Sequence, residues 1–173
     1  VGMSYLTDGD RPIIHGFVYR DGRMTDIGTL PGGTFSWAQV INDDGMVAGV
    51  ADVPGANFTH AFIYVNGVMR DIGSFGGTTY VHGINKRGQI VGTGEDANRG
   101  ERGFIYTDGR LVDLNTMIDR SSGWRVAQAY AINDKGQIVV SLRKGGVGAI
   151  GRPNRDVSMS QVSLGPRPVL VPP

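Results

Sequence analysis

His60-Ala61-Phe62-Ile63-Tyr64-Val65-Asn66-Gly67-Val68-Met69-Arg70-Asp71-Ile72-Gly73 is the stretch that decides how this chain is read. Most of its features stand upstream as His15-Gly16-Phe17-Val18-Tyr19-Arg20-Asp21-Gly22-Arg23-Met24-Thr25-Asp26-Ile27-Gly28. They stand downstream as Arg102-Gly103-Phe104-Ile105-Tyr106-Thr107-Asp108-Gly109-Arg110-Leu111-Val112-Asp113-Leu114. Phe17 and Phe62 are 45 residues apart, and Phe62 and Phe104 are 42 apart. A fixed period of this size marks a solenoid, a propeller or an array of small sheets.

Inside the stretch, Phe62-Ile63-Tyr64-Val65 runs into Asn66-Gly67 and returns through Val68-Met69-Arg70-Asp71-Ile72. Asn-Gly between strand-like residues is a strong hairpin signal, because both turn positions accept positive φ at little cost. Asp21-Gly22 and Asp108-Gly109 hold the same place in the sister copies.

A second hairpin is marked by Ile-Asn-x-x-Gly, at Ile41-Asn42-Asp43-Asp44-Gly45, Ile84-Asn85-Lys86-Arg87-Gly88 and Ile132-Asn133-Asp134-Lys135-Gly136. The asparagine can bond its own backbone across the turn while the glycine takes the left-handed conformation. Two hairpins per period predict four strands per repeat.

Gly28-Thr29-Leu30-Pro31-Gly32-Gly33 and Gly73-Ser74-Phe75-Gly76-Gly77 join the two hairpins as Gly-rich bends. The third copy breaks the rule with the longer, more polar Leu114-Asn115-Thr116-Met117-Ile118-Asp119-Arg120-Ser121-Ser122-Gly123-Trp124. That insertion reads as a loop with room for one helical turn. Val1-Gly2-Met3-Ser4-Tyr5 aligns with Val47-Ala48-Gly49-Val50-Ala51. The chain is therefore expected to open in the last strand of a preceding repeat, with any targeting segment removed. Beyond Leu142 the pattern dissolves, and Val169-Leu170-Val171-Pro172-Pro173 reads as a last short strand.

These features resemble the HAF family of extracellular repeats, named for a His-Ala-Phe triplet that stands here as His60-Ala61-Phe62. The family pattern continues through Asp-Leu/Ile-Gly, a Gly-Gly bend and Ile-Asn-x-x-Gly-x-Val-x-Gly, all present in residues 15–49 and 60–92. The third copy departs at Arg102, at Leu114-Asn115 and at the missing Gly-Gly. The resemblance covers about residues 1–142. It implies a bacterial protein, secreted or surface-associated, and no particular activity.

The expected fold is all-β: a β-propeller-like array of four-stranded antiparallel blades, three repeats plus a stray N-terminal strand. An open β-solenoid or an irregular β-sandwich competes with it. The repeat domain spans residues 1–142, with a partial repeat over about 1–14, repeats at 15–59, 60–101 and 102–142, and an irregular C-terminal segment at 143–173 that either closes the last blade or is an appended segment. Propellers close with about four to eight blades. A ring is thus expected to need a longer parent chain or self-association, for example two chains sharing six blades, with the N-terminal strand completing the partner's last blade.

Composition narrows the chemistry. The 173 residues carry 17 basic and 16 acidic side chains, a net charge of +1, so no strong field steers nucleic acid to the surface. There is no cysteine, which rules out disulfides and thiolate metal sites. No apolar run approaches the roughly 18 residues of a membrane-spanning helix. No cofactor or metal motif appears: Asp8-Gly9-Asp10 and Asp43-Asp44 read as turn residues, since neither continues into a calcium-binding loop.

His15 and His60, replaced by Arg102 in the third copy, read as structural residues bonding a neighbouring loop. Asp26, Asp71 and Asp113 read as acceptors for backbone N–H groups at strand ends, ahead of a carboxylate pair for glycoside chemistry. Positions that vary while their neighbours repeat are the better ligand candidates. Trp37, Tyr80 and Gln128 form one such set, and Gln39, His82 and Tyr130 another. Each pair alternates onto one face of its strand. Trp37, Gln39, Tyr80, His82 and Tyr130, with Trp124 in the irregular loop, are the candidate ligand-binding residues. Packing between sheets is the competing reading for them.

The expected function is a non-catalytic, extracellular or cell-surface module that binds carbohydrate or peptide or assembles with itself. Neither nucleic-acid binding nor membrane insertion is expected. The alternative is a hydrolase or lyase with its site at the propeller mouth, using His82 with a carboxylate such as Asp119.

Overall fold

The structure, a computed structural model, describes residues 1–8, 11–144, 157–163 and 169–171. Gly9 and Asp10 of the Asp8-Gly9-Asp10 turn and much of the irregular C-terminal segment therefore lie outside the described residues. Among the described residues fifteen strands form four antiparallel sheets, none of which closes into a barrel. The first sheet holds β1 (Gly2–Asp8), β2 (Arg11–Arg20) and β3 (Arg23–Asp26). The second holds β4 (Ser36–Ile41), β5 (Val47–Asp52), β6 (Thr59–Val65) and β7 (Val68–Gly73). The third holds β8 (Gly76–Ile84), β9 (Ile90–Asp96), β10 (Glu101–Thr107) and β11 (Arg110–Asp113). The fourth holds β12 (Trp124–Ile132), β13 (Gln137–Lys144), β14 (Val157–Ser163) and β15 (Val169–Val171).

Strand order within each sheet follows chain order. Each complete sheet begins at the hairpin carrying Ile-Asn-x-x-Gly. The second and third sheets then borrow the aromatic hairpin of the following repeat, because Val50 pairs with Ala61 and Gly92 with Phe104. The sheets thus run half a period out of phase with the sequence repeats. β1 pairs with β2 of its own chain, and β14 and β15 complete the last sheet.

Both turn signatures act as their chemistry dictates. Asn66 and Gly67 have φ of 52° and 81°, and Asp21-Gly22 and Asp108-Gly109 take the same left-handed pair. In the second hairpin, Asn42 Oδ1 accepts from the N–H groups of Asp44 and Met46. Asn85 and Asn133 repeat this on Arg87 and Gln89 and on Lys135 and Gln137. The residue before each repeated Phe is small (Gly16, Ala61, Gly103) because a strand of the next sheet passes close by. A Cβ on Gly103 would stand 2.6 Å from Val126 Cγ1.

Apolar side chains fill the spaces between consecutive sheets. Ile27, Leu30, Ala38 and Phe62 close the first gap, Val50, Val81, Ile90 and Phe104 the second, and Ile105, Leu114, Val126 and Leu142 the third. Phe62 and Phe104 are fully buried, and each such side chain stabilises by about 1.5–3 kcal/mol relative to exposure. The insertion in the third copy forms two 3-10 helical turns, Leu114–Thr116 and Arg120–Ser122, between β11 and β12. Among the described residues no helix is long and apolar enough to cross a membrane.

Candidate functional site

The repeat-locked His and Asp side chains are bonded to each other. His15 Nδ1 lies 2.8 Å from Asp26 Oδ2, and His60 Nδ1 lies 2.9 Å from Asp71 Oδ2. Each aspartate also accepts a backbone N–H two residues on, from Gly28 or Gly73. These pairs tie adjacent strands of one hairpin and close its end. In the third copy Arg102 takes the histidine's place and spans two carboxylates, Asp96 at 2.6 Å and Asp113 at 2.8 Å. The Gly100 N–H and the Arg102 guanidinium, with the Asn98 N–H, hold the Asp96 carboxyl below its ordinary range. The two carboxylates in turn raise the Arg102 guanidinium above its own ordinary value.

Most of the varying residues on β4, β8 and β12 join sheets or strands. Gln39 Oε1 accepts from the Val81 N–H of the next sheet at 2.9 Å, and Trp37 packs on the core between the second and third sheets. His82 Nδ1 lies 2.8 Å from the Ala129 carbonyl oxygen, and its ring stacks on Tyr130 with centroids 5.9 Å apart. The Tyr130 hydroxyl donates to Gln128, whose amide donates to Glu101. Tyr80 stays exposed. The structure therefore brings His82, Gln128 and Tyr130 together across the third and fourth sheets, with Trp37 and Gln39 one sheet earlier. No carboxylate bonds His82 among the described residues. Asp119 is engaged elsewhere: it caps the second 3-10 turn, accepting from the N–H and hydroxyl of Ser121.

Trp124 belongs to a different place. At one end of the third and fourth sheets the insertion walls an open cleft of about 710 Å³. Arg102 and Asp113 form one side, Asn115 and Ile118 the wall of the insertion, and Trp124 opens β12 opposite them. Asn115 holds the two sheets in register there, because its side chain both donates to the Val126 carbonyl and accepts from the Val126 N–H. The Lys144 ammonium sits 5.4 Å from the centre of the Trp124 ring, as expected for cross-strand partners. Arg120 and Arg125 complete the lining.

Of the six candidates named from the sequence, Trp124 alone lines this cleft. Arg120, Arg125, Lys144 and Asn115 were missed. The available signal was the break in the repeat: the same copy that loses its histidine and its Gly-Gly bend gains the longer, more polar insertion. Among the described residues no group of three or more His, Asp or Glu side chains is placed to hold a metal ion.

Neither a family model nor a curated protein matches this chain.

Proposed function

We propose that the four sheets are successive blades of a propeller-like array. The chain, on this reading, is a non-catalytic binding module of an exported bacterial protein related to the HAF repeats, and takes a carbohydrate or peptide chain in the cleft beside Trp124. One observation carries this reading. The departures of the third copy from the repeat, Arg102, the insertion at 114–123 and Trp124, converge on one cleft. Positions that repeat are consumed in closing hairpins, whereas these build a recess with an aromatic face, charged groups and an open side, which suits a ligand. Hydrolysis has less support, since His82 bonds a carbonyl oxygen and Asp119 a serine.

The test is fluorescence of Trp124. The chain has two tryptophans, so a Trp37→Phe variant, checked for folding by circular dichroism, leaves Trp124 as the sole reporter. Dextran, polygalacturonate and polyglutamate are titrated in turn. A saturable change with at least one of them is expected; flat titrations with all three sink the binding reading.

Self-association is favoured by a separate observation. The first sheet has three strands, and no strand pairs with the outer edge of β1 among the described residues. That edge carries exposed Met3, Tyr5 and Leu6.

A further inference from the structure

We propose that the cleft beside Trp124 selects an acidic polysaccharide, a polymer presenting carboxylates together with hydroxyls. The inference deepens the binding reading above and rests on it. Four cationic side chains line the cleft, Arg102, Arg120, Arg125 and Lys144, against the single carboxylate of Asp113.

Their states differ. Arg102 is neutralised by Asp96 and Asp113 and serves to hold β10 to its neighbours. Arg120 and Arg125 have no carboxylate partner among the described residues, and both are exposed. Asp119, next to Arg120 in the chain, is engaged by Ser121. The unbalanced charge in the cleft is therefore positive, and it is carried by guanidinium groups that can take a carboxylate through two parallel hydrogen bonds.

Trp124 supplies the second element. Its half-buried indole offers an apolar surface in the same cleft as the guanidinium groups. The C–H face of a sugar ring matches the indole, and a carboxylate on that ring matches the guanidinium groups. Asp113 adds no free acceptor, since its two oxygens are held by Arg102 and by Asn115. With a net charge of +1 the chain as a whole has no field to attract nucleic acid. A polyglutamate chain would satisfy the arginines and leave the indole without a partner.

The experiment compares four probes of similar length on the wild-type chain by titration calorimetry: oligogalacturonate, its methyl ester, dextran and polyglutamate. Oligogalacturonate is expected to bind most tightly, and to weaken about tenfold or more between about 50 and 500 mM salt, because the Debye length shrinks over that range. The Arg120→Gln/Arg125→Gln double variant is expected to lose about a hundredfold or more in affinity, as for two hydrogen bonds to charged groups. Arg120→Lys/Arg125→Lys recovers part of that loss, and Lys135→Gln, on a distant turn, leaves it unchanged. Equal affinity for the methyl ester or dextran overturns the acidic selectivity while leaving a binding module standing. Preference for polyglutamate replaces the polysaccharide with an acidic peptide. Absence of binding by every probe overturns both readings together.

Discussion

Asn42 Nδ2 donates to the backbone carbonyl of Asn85 at 2.9 Å, joining two turns that lie 43 residues apart in the chain. Asn85 repeats the act on the Asn133 carbonyl, 48 residues further on. Each asparagine thus works twice, with its oxygen closing its own turn and its nitrogen gripping the next sheet. Asn85 is buried and Asn133 exposed. Asn85→Ala is expected to cost about 2 kcal/mol or more, since it strands backbone groups in the turn and between sheets. Asn133→Ala is expected to cost about 1 kcal/mol, as for one local side-chain cap. Urea midpoints give the comparison. Equal losses would mean that the inter-sheet bond contributes nothing.

Gly92 separates packing from turn chemistry. A Cβ there would fall 2.0 Å from the Tyr80 carbonyl oxygen and 2.8 Å from Phe104 Cζ, and Gly49 meets Trp37 in the same way. At Gly67, with φ of 81°, a Cβ meets nothing within 4 Å. Gly92→Ala is expected to cost about 3 kcal/mol or more, the upper range for overpacking. Gly67→Ala should cost about 1 kcal/mol, the ordinary penalty for a left-handed residue with a side chain. Thermal denaturation of the two variants checks the order, and a reversed order would contradict the close approach of β8 and β9.

The hairpins were legible in the sequence because their causes are local. Asn66-Gly67 and Ile84-Asn85-Lys86-Arg87-Gly88 form their turns with atoms a few residues apart. The grouping of hairpins into sheets was not legible, because the pairing of Val50 with Ala61 bridges a connection whose residues give no periodic signal. The third copy shows the same limit. Val140 stands where the first two copies have Gly49 and Gly92. The aspartates Asp26 and Asp71 do the strand-end job expected of them. Trp37 and Gln39 act between sheets, the competing role weighed for them. The cleft was hidden because one wall of it, Asn115, Ile118 and Arg120 among its residues, comes from an insertion that has no copy for comparison.

Acid should single out the Arg102 site. Asp96 titrates below its ordinary value of 3.8 in the folded chain, so its ionised form is favoured by folding. A depressed carboxylate stabilises fully above the unfolded pKa, and that share is lost as pH falls through the lower, folded value. Arg102→Gln is expected to be less stable than the wild type at neutral pH, by about 1 kcal/mol for a partly exposed ion pair. The gap should close as pH falls below 3.8, because protonated Asp96 no longer distinguishes the two. Denaturation at a series of pH values reads this directly. A gap that persists undiminished in acid would assign the role of Arg102 to packing of its stem.

The free edge of β1 makes the last expectation. Unpaired N–H and C=O groups along an edge invite a further strand, and apolar side chains beside them strengthen the invitation. Tyr5 on this strand is 72% exposed, the highest value among the exposed large apolar side chains of the described residues. Light scattering at rising concentration is expected to show a mass growing from 18.5 kDa towards multiples of it. Tyr5→Lys should hold the chain at the monomer mass, because a lysine on an edge strand opposes pairing with another chain. Lys135→Gln serves as the control, since it alters charge on a turn away from β1. Association that survives Tyr5→Lys would move the interface off this edge, and a wild type that stays at 18.5 kDa throughout would end the self-association reading.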